Sequence, residues 1–144
     1  MNDFNIISGT WTELANDAEC IRREVFIQEQ NIAEQDEWDA QDPISQHFVF
    51  YAIELGKAHA IATARLLANN SIGRVAVLKL HRGQGIGRLL MLKIIDQAKM
   101  EQRTFLKLSA QVHAIAFYQS LGFSVQGTEY LDCGIPHVDM ILSL

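Results

Sequence analysis

Apolar residues recur along this chain at two different spacings, and each change of spacing marks an element. FNIIS at 4–8 reads as a short strand. Leu14, Ala18, Ile21 and Val25 then fall at three- and four-residue steps, which places them on one face of a helix over 12–29. Arg22 and Arg23 lie beside that face. Residues 30–46 lose the pattern: the run NIAEQDEWDAQDPISQ is polar and acidic, holds Pro43 as a breaker, and reads as a loop.

Strand-like spacing returns in HFVFYAIEL at 47–55 and HAIATARLL at 59–67, joined by a turn at Gly56-Lys57. Asn69-Asn70-Ser71 marks another turn, and IGRVAVLKL at 72–80 is a third run rich in β-branched residues. Ile86, Leu90, Ile94 and Ala98 fall at four-residue steps and predict a helix over 85–101. TFLKLSA at 104–110 reads as a strand and VHAIAFYQSLG at 112–122 as a short helix stopped by Gly122. FSVQGTEYL and HVDMILSL supply the last two strands. The order β-α-β-β-β-α-β-α-β-β is mixed α/β, antiparallel at first and with a βαβ crossover in its second half.

Composition narrows the function. The 144 residues suit one domain, 1–144, and about half of them are apolar, enough for an ordinary core. A net charge of −5 argues against wholesale binding to nucleic acid or to an anionic membrane, although a local basic patch for a small anion is compatible with it. Cys20 and Cys133 form no CxxC pair, so no metal site and no disulfide framework is expected, and a reducing cytoplasm is. The opening MNDFNIISGTW lacks a basic segment followed by an apolar one, so no signal peptide is expected, and no apolar run is long enough to span a bilayer.

The candidate chemistry sits in HRGQGIGRLL, 81–90. Gly83, Gly85 and Gly87 lie between Arg82 and Arg88, directly before the 85–101 helix. The first N–H groups of a helix have no internal acceptor, and the helix dipole adds positive charge at that end. Glycines let such a backbone approach an anion closely, so a phosphate site is one reading and a structural turn is the other. The P-loop pattern GxxxxGK[ST] is absent. The dinucleotide pattern GxGxxG starts with Gly83-Gln84-Gly85 but meets arginine at 88.

Arg82-x-x-Gly85-x-Gly87 after VAV at 75–77 resembles the acetyl-CoA pyrophosphate loop of the GNAT N-acetyltransferase superfamily. AIAFYQSLGF at 114–123 is similar to that family's A-x-x-F-Y-x-x-x-G-F helix and strand. REVFIQEQ near the start and EYLDCGIPHVDM near the end resemble the ElaA/YjcF-like branch.

The resemblance implies a mostly antiparallel sheet with a splayed central parallel pair, 72–78 and 104–110, flanked by helices. It implies acetyl-CoA as cosubstrate, pairing with the backbone of Val75, Ala76 and Val77. It further implies that Arg82, Gly83, Gln84, Gly85, Ile86, Gly87 and Arg88 hold the pyrophosphate. Gln111 stands where many relatives have a cofactor-contacting asparagine. Tyr118 resembles the tyrosine that protonates the departing thiolate, with packing against Phe117 and Phe123 as its other reading. For the base that deprotonates the amine, His137, Asp132 and Glu129 remain alternatives.

A small-molecule or peptide amine is the implied acceptor. Its charge is left open, because Glu34, Asp36, Glu37, Asp39 and Asp42 favour a cation and Arg22 and Arg23 an anion. A C-terminal strand edge would support a homodimer. A non-catalytic acyl-CoA-binding sensor or interaction module is the alternative function, and a nucleotide-binding protein using the same loop is a weaker third.

Overall fold

Strand β1 (Phe4–Gly9) opens the sheet, and Thr10 ends it by starting helix α1 (Trp11–Arg22). The Thr10 hydroxyl accepts from the Glu13 N–H while the Glu13 carboxylate accepts from the Thr10 N–H, so two orphan donors are satisfied reciprocally. In this computed structural model, which describes residues 3–144, the helix read over 12–29 does not stay α-helical. It ends as α1 at Arg22, and Arg23–Glu29 continue as a π-helix, a wider turn that takes one more residue per hydrogen-bonded ring. Val25 and Phe26 thereby stay buried with Leu14, Ala18 and Ile21, packed on Val49 and Ala76 of the sheet.

The loop read over 30–46 contains a short helix α2 (Glu34–Glu37) and a 3-10 turn at Asp42–Ile44. Most of its acids pair with arginines, Arg22 and Arg23 among them, which corrects the reading of these residues as free charges facing an acceptor. Arg22 is 1% exposed; its Nε donates to Glu37 at 2.6 Å and its Nη1 to Asp42 at 2.8 Å. Arg65 donates to Asp39 at 2.7 Å and to Asp42 at 2.9 Å, and Arg74 reaches Glu37 at 3.2 Å and Asp39 at 3.3 Å. Arg23 is taken by Glu34 at 2.9 Å. Buried charges persist only with such partners, so the arginines order a segment whose composition alone reads as irregular.

Strands β2 (Gln46–Glu54), β3 (Lys57–Leu66) and β4 (Ser71–Val77) extend β1 as an antiparallel meander. Helix α3 (Ile86–Met100) crosses over to β5 (Phe105–Gln111). Helix α4 (Ile115–Ser120), β6 (Ser124–Asp132) and β7 (Ile135–Ser143) follow. The strand order is β1-β2-β3-β4-β5-β7-β6, and β4–β5 is the parallel pair. The fold is therefore the expected mixed α/β, mostly antiparallel sheet with helices on both faces.

Three expectations shift. The strand read over 72–80 stops at Val77, with a 3-10 turn at Lys79–His81. The helix read over 112–122 is a 3-10 turn at Val112–Ala114 followed by α4. The last strand is not an edge: β7 lies between β5 and β6, and β6 is the edge. Helix α3 buries Ile86, Leu90, Ile94 and Ala98 as its periodicity requires, against Phe48, Leu66 and Leu106. Full burial of a side chain such as Leu90 or Ile94 stabilises by about 1.5–3 kcal/mol.

Candidate functional site

The two parallel strands pair only at Ser71 with Lys107 and Ile72 with Leu108, and then part. A bulge in β4 accompanies the parting. Between the Arg65–Gly73 and Thr63–Ala76 pairs, β4 carries one residue more than β3, and Arg74 adopts φ 52°. Beyond the bulge lies a groove of about 880 Å³. Val75, Ala76 and Val77 line it from β4, Ser109 and Gln111 from β5, Tyr118 from α4 and His137 from β7.

The glycine loop closes one end. Gly83 and Gly85 adopt φ +77° and +80°, and a Cβ at either would meet nothing within 4 Å. Backbone torsion, not crowding, therefore demands glycine at these two positions. Gly87 has no such torsion; a Cβ there would touch Phe117 at 3.4 Å. Gly85 is the N-cap of α3 and offers no side chain to the first helical N–H groups. Those donors and the positive end of the helix dipole make this end of the groove an anion cradle.

Gly83, Gly85, Ile86, Gly87 and Arg88 all line the groove. Gln84 does not; it lines a smaller cavity of about 330 Å³ beside Phe50 and Ile61. Arg82 also lines the groove, but its guanidinium bonds Glu29 at 2.6 and 2.8 Å, and its Nε donates to the Val77 carbonyl at 2.9 Å. The hydrogen-bonded pair lowers the Glu29 pKa and raises that of Arg82. Gln111 donates to the Gln30 amide oxygen at 3.0 Å and accepts from His113 Nε2 at 2.7 Å. The end of the π-helical segment is thus tied to both lips of the parted strands, through Arg82 on one side and Gln111 on the other.

Tyr118 is 8% exposed and edge-on to Phe117 and Phe123, so it packs as its second reading expects while also lining the groove. Burial alone pushes its hydroxyl up to about 12, which keeps the proton in place near neutral pH. His137 is 9% exposed. Its Nδ1 lies 2.7 Å from the Ile135 carbonyl, which can only accept, so Nδ1 carries the hydrogen and neutral His137 presents Nε2 as an acceptor. Of the three base candidates, His137 and Asp132 line the groove and Glu129 does not.

Residue spacing gave no sign of Gln30 or Arg74, which line this groove together with Asp36 of the acidic run. Gln30 and Gln111 are 81 positions apart and Glu29 and Arg82 are 53 apart, so only the folded chain joins them. Among the described residues no group of three or more His, Cys, Asp or Glu could hold a metal ion, and no helix is long and apolar enough to cross a membrane.

Residues 14–144 match the model of the acetyltransferase (GNAT) domain. The chain is 34% identical over 133 residues to the uncharacterized N-acetyltransferase YjcF of Bacillus subtilis, covering 90% of this chain and 92% of that protein. It is similar to the crystal structure of Escherichia coli ElaA, with a TM-score of 0.84 and 28% identity over 97% of this chain and 99% of that one. It is also similar to an acyl-CoA N-acyltransferase from Pseudomonas aeruginosa, with a TM-score of 0.82 and 30% identity over the same shares. With the family model matched over nearly the whole chain, this protein belongs to the GNAT acetyltransferases, in their ElaA/YjcF-like branch, and is an N-acetyltransferase.

Proposed function

We propose that this chain, acting as a single domain, transfers an acetyl group from acetyl-CoA to a primary amine of a small molecule or peptide by direct attack in a ternary complex. The observation that carries the reading is the parting of β4 and β5 into a groove that has the α3 amide cradle at one end and Tyr118 in its wall. Acetyl-CoA, when bound, supplies an acyl group already activated as a thioester.

The parted edge of β4 at Val75, Ala76 and Val77 offers backbone groups to pantetheine amides, as a sheet edge does to an added strand. Backbone N–H groups from Gly83 to Arg88 hold the diphosphate, with the Arg88 side chain beside them. Arg82 adds its charge to that cradle by exchanging Glu29 for phosphate oxygen. Gln111 lines the arm's path.

Tyr118 donates its hydroxyl proton to the leaving sulfur. An amine is mostly protonated near neutral pH and must lose a proton before it attacks. His137 Nε2 accepts that proton, since Nδ1 is already committed to Ile135. Cys133 also lines the groove, but slight desolvation and the charges of Asp132 and Asp36 raise its pKa, so it holds its proton. That favours direct attack over an acyl-cysteine. Exposed, free Cys20 and Cys133 suit a reducing cytoplasm.

Thiol release from acetyl-CoA over a panel of amines tests the reading, run on wild type, Gly85→Ala and Gly85→Glu. The alanine variant measures the cost of a side chain at φ +80°, about 1–2 kcal/mol. Glutamate adds a negative charge where diphosphate binds. Acetyl-CoA affinity is expected to fall at least about 100-fold further in Gly85→Glu than in Gly85→Ala. Equal affinity in the two variants would remove the loop assignment. Tight acetyl-CoA binding with no thiol released across the whole panel would favour the acyl-CoA sensor instead.

A further inference from the structure

We infer that the attacking nitrogen gives up its second proton to Ser109, and that Tyr130 and Asp139 carry the displaced proton out to solvent. This rests on the transferase reading above and adds a proton path that the reading lacks.

An alkylammonium ion becomes an amide only by shedding two protons. One leaves before attack, to His137. The other leaves the positively charged nitrogen of the tetrahedral intermediate, which otherwise competes with sulfur as the leaving group. The fork of the sheet is where that intermediate forms. β4 and β5 make their last pair at Ile72 and Leu108, so Ser109 is the first residue of β5 beyond the fork. An arm that starts at the Gly83–Arg88 cradle and follows β4 from Val77 back to Val75 runs toward this point, where Ser109 lines the groove.

Register decides what Ser109 faces. It pairs with Asp139, and Gln111 pairs with His137. Leu108, Ala110, Val138 and Met140 point into the core, so the alternating Ser109, His137 and Asp139 share the other face. Ser109 and His137 are therefore diagonal neighbours, about 7–8 Å apart along the sheet. One nitrogen can bridge that spacing at about 3 Å from each acceptor. Residues 127–129 of β6 stand against Val138 alone of β7, and this bulge sets Tyr130 opposite His137. The Tyr130 ring stacks on the imidazole, with centroids 6.2 Å apart.

The hydrogen bonds of this face run in one direction. Tyr130 donates its single hydroxyl hydrogen to Asp139 at 2.6 Å. Ser109 Oγ is bonded to the same hydroxyl, and with the phenol hydrogen already spent Ser109 is the donor. The serine lone pairs are left for what binds in the groove. As the N–H bond of the intermediate breaks, its hydrogen passes to Ser109 Oγ. The hydrogen of Ser109 passes to Tyr130 Oη, and that of Tyr130 to Asp139, which ends as the carboxylic acid. Burial and the Asp139 carboxylate raise the Tyr130 pKa, so the phenol hands its proton on only as it gains another. Asp139 is exposed and lies outside the groove lining, so it returns the proton to water. Per acetyl group transferred, the nitrogen sheds two protons, the sulfur gains one through Tyr118, and one is released.

The test uses thiol release at saturating acetyl-CoA with ethylamine, butylamine and phenethylamine. Each is run beside its analogue carrying two fluorines on the carbon next to the amine-bearing one, whose nitrogen loses protons far more readily. Ser109→Ala, Tyr130→Phe and Asp139→Asn should each lower kcat for the plain amines by about tenfold or more. Acetyl-CoA affinity and melting temperature should stay at their wild-type values, since phenylalanine keeps the ring on His137. The three side chains form one path, so Ser109→Ala combined with Tyr130→Phe should lose no more than the larger single loss. Ser109→Thr keeps the hydroxyl and should retain most of the turnover. With the fluorinated amines the losses should shrink below about threefold, because their intermediates give the proton to water unaided.

Equal losses for plain and fluorinated amines, additive losses in the double variant, or wild-type turnover by Tyr130→Phe overturn the relay and leave the transferase reading standing. A wild type that releases no thiol with any of these amines overturns the relay, and none across the wider amine panel fells the transferase reading with it.

Discussion

The acid proposed for the departing thiolate has to keep its proton until the moment of transfer, and the surroundings of Tyr118 favour the protonated form by burial alone. No charged neighbour contributes to the shift, and the hydroxyl is held up at about 12. Tyr118→Phe keeps the ring among Phe117 and Phe123 and removes only the donor. Turnover in the thiol-release assay should fall at least about 100-fold, the usual range for losing a positioned acid. Acetyl-CoA affinity and melting temperature should hardly move. The acid form disappears only as pH rises through about 12, so Tyr118 should impose no alkaline fall on kcat between about pH 7 and 10. A variant that turns over like wild type would return Tyr118 to a packing role. Both readings of Tyr118 came from the sequence, because the tyrosine sits inside a spaced motif; the packing is the one the fold displays. Its partner His137 stood only as one of three alternatives, since the bond that frees Nε2 runs to the carbonyl of Ile135, and residue type carries no trace of it.

Between residue and fold, the connector from α1 to β2 shows where sequence periodicity stops being informative. The period of α1 was plain, but the π-helical turn at Arg23–Glu29 changes hydrogen-bond partners without altering which side chains are apolar. The acids at 34–42 read as a loop because the arginines that claim them come from α1, β3 and β4, up to 37 positions away. Arg22 is the centre of that arrangement, sandwiched over the rings of Trp11 at 5.5 Å and Trp38 at 5.1 Å. Arg22→Met fills much of the same space and leaves Glu37 and Asp42 buried without their main partner. Removing one side of a buried pair typically destabilises by about 3–5 kcal/mol, and chemical denaturation should read a loss of that size. Because Glu37 belongs to the groove wall, the KM for the amine should rise more than that for acetyl-CoA. Retained stability would mean that the network is ornamental and the connector is held by Trp11 and Trp38 alone.

Across the whole molecule the same network ties α1 and the connector to β3 and β4, so its protonation bears on global unfolding. The topology here was readable in outline: strand spacing and the crossover gave a mixed sheet, and the glycine and tyrosine motifs marked the splayed pair. The ladder that places β7 between β5 and β6 was not, because strand order depends on which edges remain open after the core closes. His47 of β2 lies under the network, 1% exposed, against the Trp11 ring, with its Nε2–H donated to the Asp42 carbonyl at 2.9 Å. Burial lowers its pKa below the ordinary 6.5; Arg22 and Arg65 push the same way, while Asp42 opposes them. The unfolded chain therefore binds a proton at His47 that the fold refuses, and stability falls as pH drops below 6.5, by at most about 1.4 kcal/mol per pH unit. Asp39 acts in a lower window. Its bond to Arg65 holds it at about 2, so its contribution is intact above 3.8 and fades only as pH falls through about 2. Glu37, raised by burial, works the other way near its own folded pKa and softens the acid loss there. Thermal melts between about pH 7 and 5 should show a falling midpoint for wild type and a nearly flat one for His47→Gln, which keeps a donor but cannot titrate. An equal slope in both proteins would place the acid sensitivity elsewhere.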